Sequence, residues 1–327
     1  MSNLETEPVE FDCAAGPSAQ IEILQPRDVP LGGPRAMRVR RTLPQRERSM
    51  VGAWCFADHY GPEDVRSRPG MDVAPHPHTG LQTVSWLFAG EIEHRDSAGV
   101  HAMVRPGELN LMTAGAGICH SEVSTAATSL LHGVQLWVAL PDSARDTERA
   151  FDHFVPEPVS LSGGSLRVFL GTLAGARSPV PTHTALLGAQ IDLPPGAAVE
   201  LDVDPAFEHA VLLDQGPLEV GDTVVAPGQL AYQGCGETVL ALRNTGELSA
   251  RAILLGGEPF TEELLMWWNF VGRTHEEIVE YRREWQAESA RFGQVLGYQG
   301  PTPRLPAPPL PGTRLKPRQP PPRKDSR

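Results

Sequence analysis

The stretch APHPHTG (residues 74–80) places two histidines, His76 and His78, one residue apart with Pro77 between them. In an extended strand the side chains of residues i and i+2 project from the same face, so this spacing directs both imidazoles to one point. Proline has no backbone N–H, so Pro77 favours a sheet edge or a barrel rim over a central strand. Two histidines on one face at a rim suit metal binding, but the pattern HxH also occurs by chance.

The chain around this stretch consists of short apolar runs that alternate with turns. Gly and Pro each occur 32 times among 327 residues, which is typical of many short strands. Two strand-rich blocks of similar size and rhythm, residues 20–145 and 160–296, are separated by a polar connector around residues 140–158. We therefore expect an all-β fold of two tandem barrels, one formed by each block.

An amphipathic helix is predicted near the end of the second block. Thr274 and Glu277 form a T-x-x-E capping box. Apolar residues then follow at helical spacing, namely Ile278, Tyr281 and Trp285. This face is expected to pack the helix against the barrels.

Both ends of the chain differ from the two blocks. Residues 1–19 are expected to form a disordered lead-in. The last 27 residues contain ten prolines, and seven basic residues against one acidic residue. Such a composition buries little apolar surface, so residues 297–327 are predicted to be a disordered basic tail. Residues 301–327 are predicted to be dispensable for folding and metal binding. The tail or another surface is a candidate site for a protein partner.

Charge and composition exclude several classes of protein. The formal net charge of −12 argues against direct binding to nucleic acid. No apolar run approaches the roughly 18 residues of a membrane helix, so no membrane association is expected. The acidic first residues lack a hydrophobic signal segment, and the four cysteines form no CxxC pair. We expect a cytoplasmic protein.

A second pair of potential ligands lies downstream in GELNLMTAGAGICHSE (residues 107–122). His120 and Glu122 again stand at i and i+2, so two strands can present four ligands to one interior. Three imidazoles and a carboxylate suit Fe, Mn, Ni, Cu or Zn rather than Ca or Mg. The sequence therefore predicts one transition-metal ion per chain, bound by His76, His78, His120 and Glu122.

Other polar residues are given structural roles. His94 and Asp96 are expected at a hairpin end, and His132 inside a strand with hydrogen bonds to the backbone. Cys119 precedes His120 and should point away from the metal into the packing. In the second block His209 has no potential ligand two residues away, so that barrel is expected to be metal-free.

The sequence resembles the pirin family of bicupins, in the cupin superfamily. The resemblance is carried by GMDVAPHPHTGLQTVSWLFAGEIEHRDS (70–97), RPGELNLMTAGAGICHSE (105–122) and GGEPFTEELLMWWNFVGRTHEEI (256–278), and it covers roughly residues 21–295. It implies two tandem cupin barrels with one iron ion in the first, held by the four residues above. Members of this family are described as quercetin dioxygenases and, in eukaryotes, as redox-sensitive transcriptional co-regulators.

One position departs from the cupin pattern. Many cupins carry a glutamate four residues after the second histidine, where this chain has Gln82. Counting 76, 78, 80 and 82 along a strand puts Gln82 on the metal face, as a residue that contacts the substrate or a ligand. Its neutrality removes a potential general base, so Glu122 becomes the candidate catalytic carboxylate.

Two functions follow from these features. The first is a mononuclear iron dioxygenase of the quercetin 2,3-dioxygenase type, acting on a flavonol or another small phenolic with O2. The alternative is a non-enzymatic, redox-responsive iron protein that regulates through protein contacts. The sequence does not choose between them, because one fold supports many activities.

Overall fold

The computed structural model describes residues 2–3, 21–32, 37–66 and 70–317. The first thirteen strands are β1 (Ser2–Asn3), β2 (Glu22–Leu24), β3 (Arg27–Gly32), β4 (Arg38–Leu43), β5 (Trp54–Asp64), β6 (Asp72–His78), β7 (Leu81–Ala89), β8 (Ile92–Asp96), β9 (His101–Val104), β10 (Leu109–Thr113), β11 (Ile118–Ser124), β12 (Leu130–Ala139) and β13 (Ala150–Phe154). The other elements are β14 (Val159–Leu161), β15 (Gly164–Leu170), β16 (Thr172–Leu173), β17 (Ala176–Arg177), β18 (Leu186–Leu193), β19 (Ala198–Asp202), β20 (Glu208–Gln215), β21 (Leu218–Val220), β22 (Thr223–Val225), β23 (Leu230–Gln233), β24 (Val239–Arg243), β25 (Ala250–Gly257), β26 (Leu265–Trp267), β27 (Phe270–Gly272) and the helix α1 (His275–Gln286).

These strands form two barrels, each built from a large and a small antiparallel sheet. In the first barrel the large sheet has the order β1-β3-β4-β5-β12-β7-β10-β13 and the small sheet β6-β11-β8-β9. In the second barrel the orders are β14-β15-β18-β25-β20-β23-β2 and β19-β24-β21-β22. The prediction of an all-β chain with two tandem barrels and one C-terminal helix is confirmed.

The two barrels pack through a shared apolar interface. Val84 and Trp86 of β7 belong to the same buried cluster as Leu212 of β20 and Leu255 of β25. Trp86 Nε1 donates to Gln190 Oε1 of the second barrel (2.8 Å). Because a buried indole N–H needs an acceptor, this bond lets a large apolar ring cross the interface with its polar atom satisfied.

One strand from before the first barrel in sequence belongs to the second barrel, which the predicted boundaries do not allow for. The strand β2 pairs with β23 of the second barrel, although it precedes the whole first barrel in sequence. In the predicted connector, β13 pairs with β10 and extends the large sheet of the first barrel. The first barrel was predicted to begin at residue 20. This start is too early, because residues 22–24 form β2 and belong to the large sheet of the second barrel.

The C-terminal helix packs on the first barrel rather than on the second. Thr274 caps α1 by accepting a hydrogen bond from the backbone N–H of Glu277 (3.2 Å), as the capping box predicts. Ile278 and Trp285 are buried in one apolar cluster with Val39 and Val73 of the first barrel. The helix therefore follows the second barrel in sequence, but its apolar face covers the first.

A further correction concerns the C-terminal strap, which we define as residues 297–317. Leu305 and Ala307 are buried in the same apolar cluster as Trp285 and Cys119. The backbone N–H of Leu305 donates to the carbonyl of Pro75 in β6 (2.8 Å), and Trp285 Nε1 donates to the carbonyl of Leu305 (2.9 Å). This segment is ordered, contrary to the prediction, because two of its apolar side chains, Leu305 and Ala307, pack into one buried cluster.

The remaining predictions about the chain ends fall mostly outside the described residues. This applies to residues 4–19 of the expected lead-in and to residues 318–327 of the predicted tail. Residues 2–3 form β1, which pairs with β3. Within the described part of the chain, no helix has the length and apolar character that crossing a membrane requires.

Candidate metal centre

The predicted histidines meet because β6 and β11 are antiparallel neighbours. Their register pairs His76 with His120 and His78 with Ile118. Cross-strand pairs on one face lie about 5 Å apart, so this register brings three imidazoles together. The ring centroid of His76 lies 5.1 Å from that of His78 and 4.3 Å from that of His120, and the centroids of His78 and His120 are 5.0 Å apart. All three residues are fully buried.

The hydrogen bonds of these histidines leave their Nε2 atoms directed inward. His76 Nδ1 donates to the carbonyl of Ala74 (2.9 Å), and His78 Nδ1 donates to the carbonyl of Asn269 (3.1 Å). A carbonyl only accepts, so each proton lies on Nδ1 and each Nε2 carries a lone pair. This is the tautomer that a metal ligand requires.

Burial keeps the three imidazoles neutral and leaves a nitrogen unsatisfied. Desolvation lowers the pKa of His76, His78 and His120 well below the ordinary value. His78 Nε2 and His120 Nε2 are 3.1 Å apart, and His76 Nε2 has no hydrogen-bond partner among the described residues. A buried nitrogen without a partner costs about 1–3 kcal/mol, so this geometry fits an ion that accepts all three lone pairs.

Glu122 lies beside this cluster, displaced by an irregularity in the sheet. The register of the pairing shifts between His120 and Glu122, so that Glu122 is opposite Val73. Potential ligand atoms of His94, His120 and Glu122 lie within 4.8 Å of one another, and those of His76, His78 and His120 form a second such group. The two groups share His120, and together they could hold one ion.

The structure does not bring Gln82 to the imidazoles, which corrects the prediction for this residue. Gly80 adopts a positive φ of 67° between β6 and β7, so the two-residue count from His78 does not continue into β7. Gln82 Nε2 instead donates to Thr113 Oγ1 (2.9 Å). The β7 residue that reaches Glu122 is Ser85 (3.3 Å), on the opposite face of the strand from Gln82.

His94 and Asp96 contribute to the centre in a way the sequence interpretation missed. Both lie on β8, which pairs with β11 so that His120 is opposite Asp96. His94 Nδ1 is 3.5 Å from His120 Nδ1, and His94 Nε2 is 3.1 Å from Asp96 Oδ2. The spacing HxD repeats the i, i+2 pattern of the two ligand pairs, and that repetition could have identified them.

A second buried cluster joins the barrels. His132 lies inside a strand, β12, as expected, but its ring contacts a carboxylate rather than the backbone. His59 of β5 and His132 of β12 both contact Asp214 Oδ1 of β20, at 2.7 and 2.5 Å. Arg251 of the second barrel binds the other oxygen, Asp214 Oδ2 (2.6 Å). No local pattern could reveal this cluster, because its members lie on strands far apart in sequence.

The interface cluster is poorly suited to a metal ion, despite its ligand set. The guanidinium of Arg40 lies 3.2 Å from His59 Nδ1, and that of Arg251 lies 3.5 Å from His132 Nδ1. A metal on Nε2 would require a proton on Nδ1, which would then face a cationic donor. The arrangement instead fits two imidazoles that donate from Nε2 to Asp214.

Two stacked β-barrels with a histidine cluster inside the first define a two-domain cupin protein. Family models match it at residues 36–138, for Pirin, and at residues 188–293, for the Pirin C-terminal cupin domain. The chain belongs to the pirin family, as the sequence resemblance indicated.

Individual relatives agree with this assignment. A Pseudomonas aeruginosa protein with the provisional name quercetin 2,3-dioxygenase is 42% identical over 301 residues, covering 92% of this chain and 94% of that protein. Human pirin is 30% identical over 74% of this chain and 83% of its own length. The crystal structure of a quercetin 2,3-dioxygenase from Acinetobacter baumannii has a TM-score of 0.84 and 36% identity, covering 90% of this chain and 96% of that one.

Proposed function

We propose that this protein is a cytoplasmic, iron-dependent dioxygenase of the quercetin 2,3-dioxygenase type, acting on a flavonol or another small phenolic. The observation that carries the proposal is the convergence of three neutral imidazoles inside the first barrel, with His76 and His78 held in the tautomer that exposes Nε2. The names of the Pseudomonas and Acinetobacter relatives support the reaction class.

The ion would be held by His76, His78, His120 and Glu122. This nitrogen and oxygen set also accepts Mn, Ni, Cu or Zn, and iron is proposed from the family resemblance. When bound, the metal supplies Lewis acidity toward a phenolic hydroxyl and redox chemistry toward O2. The apolar surroundings exclude water, since residues such as Trp137, whose ring lies 5.1 Å from His78, line the same interior.

Glu122 is proposed to accept the proton of the substrate hydroxyl. Ser85 has one hydroxyl proton, and its shorter contact is to Gln135 Oε1 (2.8 Å) rather than to Glu122 Oε1 (3.3 Å). The Glu122 carboxylate lies beside the imidazoles that would hold the ion, within reach of a proton on a substrate bound there. We assign Gln82 no role in this step, since its Nε2 donates to Thr113 Oγ1.

The test is O2 consumption with quercetin by protein loaded anaerobically with Fe2+. We expect the wild type to exceed free Fe2+, His78→Ala to lose the metal and the activity, and Glu122→Gln to lower kcat by about 10²–10⁴-fold. His183→Ala is the matched control, because His183 is exposed in the second barrel. A wild type no faster than free Fe2+ would contradict the proposal, and metal binding without O2 consumption would favour the non-enzymatic regulator.

A further inference from the structure

We propose that Trp137 determines substrate specificity, by donating a hydrogen bond from its indole N–H to a carbonyl oxygen of the substrate. This carbonyl lies beside the hydroxyl group that binds the metal. The inference rests on the proposed function and narrows its substrate class, from small phenols in general to phenols with a neighbouring carbonyl group.

Trp137 faces the interior of the first barrel, where the substrate is proposed to bind. It lies on β12 two residues after Gln135, so both side chains project from the same face of the strand. Ser85 Oγ donates to Gln135 Oε1 (2.8 Å) and lies 3.3 Å from Glu122 Oε1. The ring of Trp137 itself lies 5.1 Å from that of His78. The indole is therefore next to the proposed metal ligands.

The packing of Trp137 fixes the orientation of its ring. Phe56 of β5 is opposite Trp137 in the sheet, and the two rings stack with centroids 4.0 Å apart and planes at 11°. The ring of His78 stands at 76° to the indole. Trp137 is only 2% exposed, so its N–H cannot turn toward bulk water. Any acceptor for this N–H must lie inside the barrel.

The structure provides no such acceptor for Trp137. The Nε1 atoms of Trp54, Trp86 and Trp285 donate to protein acceptors at 3.1, 2.8 and 2.9 Å. Trp137 Nε1 has no hydrogen-bond partner among the residues that the structure describes. An indole nitrogen only donates, and leaving it buried and unpaired costs free energy. A substrate oxygen at this point would remove that cost.

Two other polar atoms on the same inner face can adapt to a ligand, whereas the indole cannot. Gln135 Nε2 and the hydroxyl of Tyr60, which is opposite Gly133 of β12, also lack partners within the described ranges. A phenol both donates and accepts, and an amide can turn over and exchange its oxygen for its nitrogen. Trp137 alone of these three requires an acceptor, so it imposes a definite chemistry on the ligand.

This requirement selects among phenols that bind the metal through one hydroxyl group. Because the indole lies against His78, it reaches the part of a substrate that is close to the metal-binding hydroxyl. A carbonyl oxygen there accepts from the N–H, while an alkyl group leaves the N–H unpaired. A site built to hydrogen-bond one substrate group discriminates against an analogue that lacks it, for this reason.

The first measurement compares two phenols of matched size, ortho-hydroxyacetophenone and ortho-ethylphenol, of which only the first has a carbonyl. Their affinities are measured by calorimetry on protein loaded with Zn²⁺, which has no redox chemistry. Trp137→Phe keeps a ring against Phe56 and removes the N–H, so the preference for the ketone should fall about 3–10-fold, as expected for one hydrogen bond. Any contact of the carbonyl with the ion is common to both proteins and cancels in this comparison.

Trp267→Phe is the matched control. Trp267 Nε1 is likewise buried and unpaired in the described part of the chain, but its ring packs against those of Trp268 and Phe270. We expect this variant to keep the wild-type preference for the ketone. An unchanged preference in Trp137→Phe, or an equal loss in Trp267→Phe, would overturn the inference.

The second measurement needs no variant and follows the indole N–H of Trp137 by ¹H–¹⁵N correlation NMR of the Zn²⁺-loaded wild type. The indole proton should move downfield with ortho-hydroxyacetophenone and much less with ortho-ethylphenol. Equal shifts with both phenols, or binding of neither, would refute the role of Trp137. If O2 is consumed but the ketone preference does not depend on Trp137, this inference alone fails. If the preference is as expected and no O2 is consumed, only the dioxygenase proposal fails.

Discussion

The C-terminal strap provides a direct test of whether residues 297–317 belong to the folded structure. Leu305 is 8% exposed and lies in the apolar cluster that also contains Trp285. Its two hydrogen bonds, to Pro75 and from Trp285, use only its backbone atoms. Leu305→Ala therefore removes the buried side chain and leaves both hydrogen bonds in place.

The expected loss of stability follows from the burial of this side chain. Leucine-to-alanine substitutions in protein cores cost about 2–5 kcal/mol, depending on how far the cavity collapses. The strap lies at the surface and can relax, so the lower end applies, and we expect about 2 kcal/mol. For a chain of this size each kcal/mol shifts the melting temperature by about 2 °C, so a decrease of about 4 °C is expected.

The assay is thermal and urea unfolding of metal-free protein, with Leu296→Ala as the matched control. Leu296 is 76% exposed, and its substitution should change stability by less than about 0.5 kcal/mol. If both variants match the wild type, the strap does not contribute to the fold and the original expectation of a dispensable tail is restored.

Two further predictions concern buried polar groups. Asp214→Ala should destabilise the protein by about 3–5 kcal/mol in urea unfolding, because it leaves Arg251 without its buried carboxylate; a loss below about 1 kcal/mol would contradict the role of this cluster in joining the barrels. Burial lowers the pKa of His209 to about 4, so the unfolded chain takes up this proton near pH 6.5 and the folded chain only near pH 4. Stability should therefore fall as the pH decreases from 6.5 to 4, by up to about 3 kcal/mol from this residue, and His209→Leu should reduce that dependence in pH-resolved unfolding.

Much of the proposed metal centre could be predicted from sequence, because it depends on local strand geometry. The side chains of a strand alternate with a period of two, so HxH at residues 76–78 and HxE at 120–122 each indicated a shared face before any pairing was known. The family resemblance then indicated that both belong to one barrel. The helix at 275–286 was predictable for the same reason, since its cap and apolar face lie within one short segment.

Other features were decided only by contacts between distant parts of the chain. The bend at Gly80 separates Gln82 from the face of His78, and a count along the sequence cannot detect a change of strand direction. The association of His132 with Asp214 requires the two barrels to be docked. The composition of the strap favours disorder. The strap is nevertheless ordered, because Leu305 packs against residues of the helix and β6. Alternation along a strand is a property of the local backbone, whereas burial and hydrogen-bond partners depend on which surfaces the tertiary fold brings together.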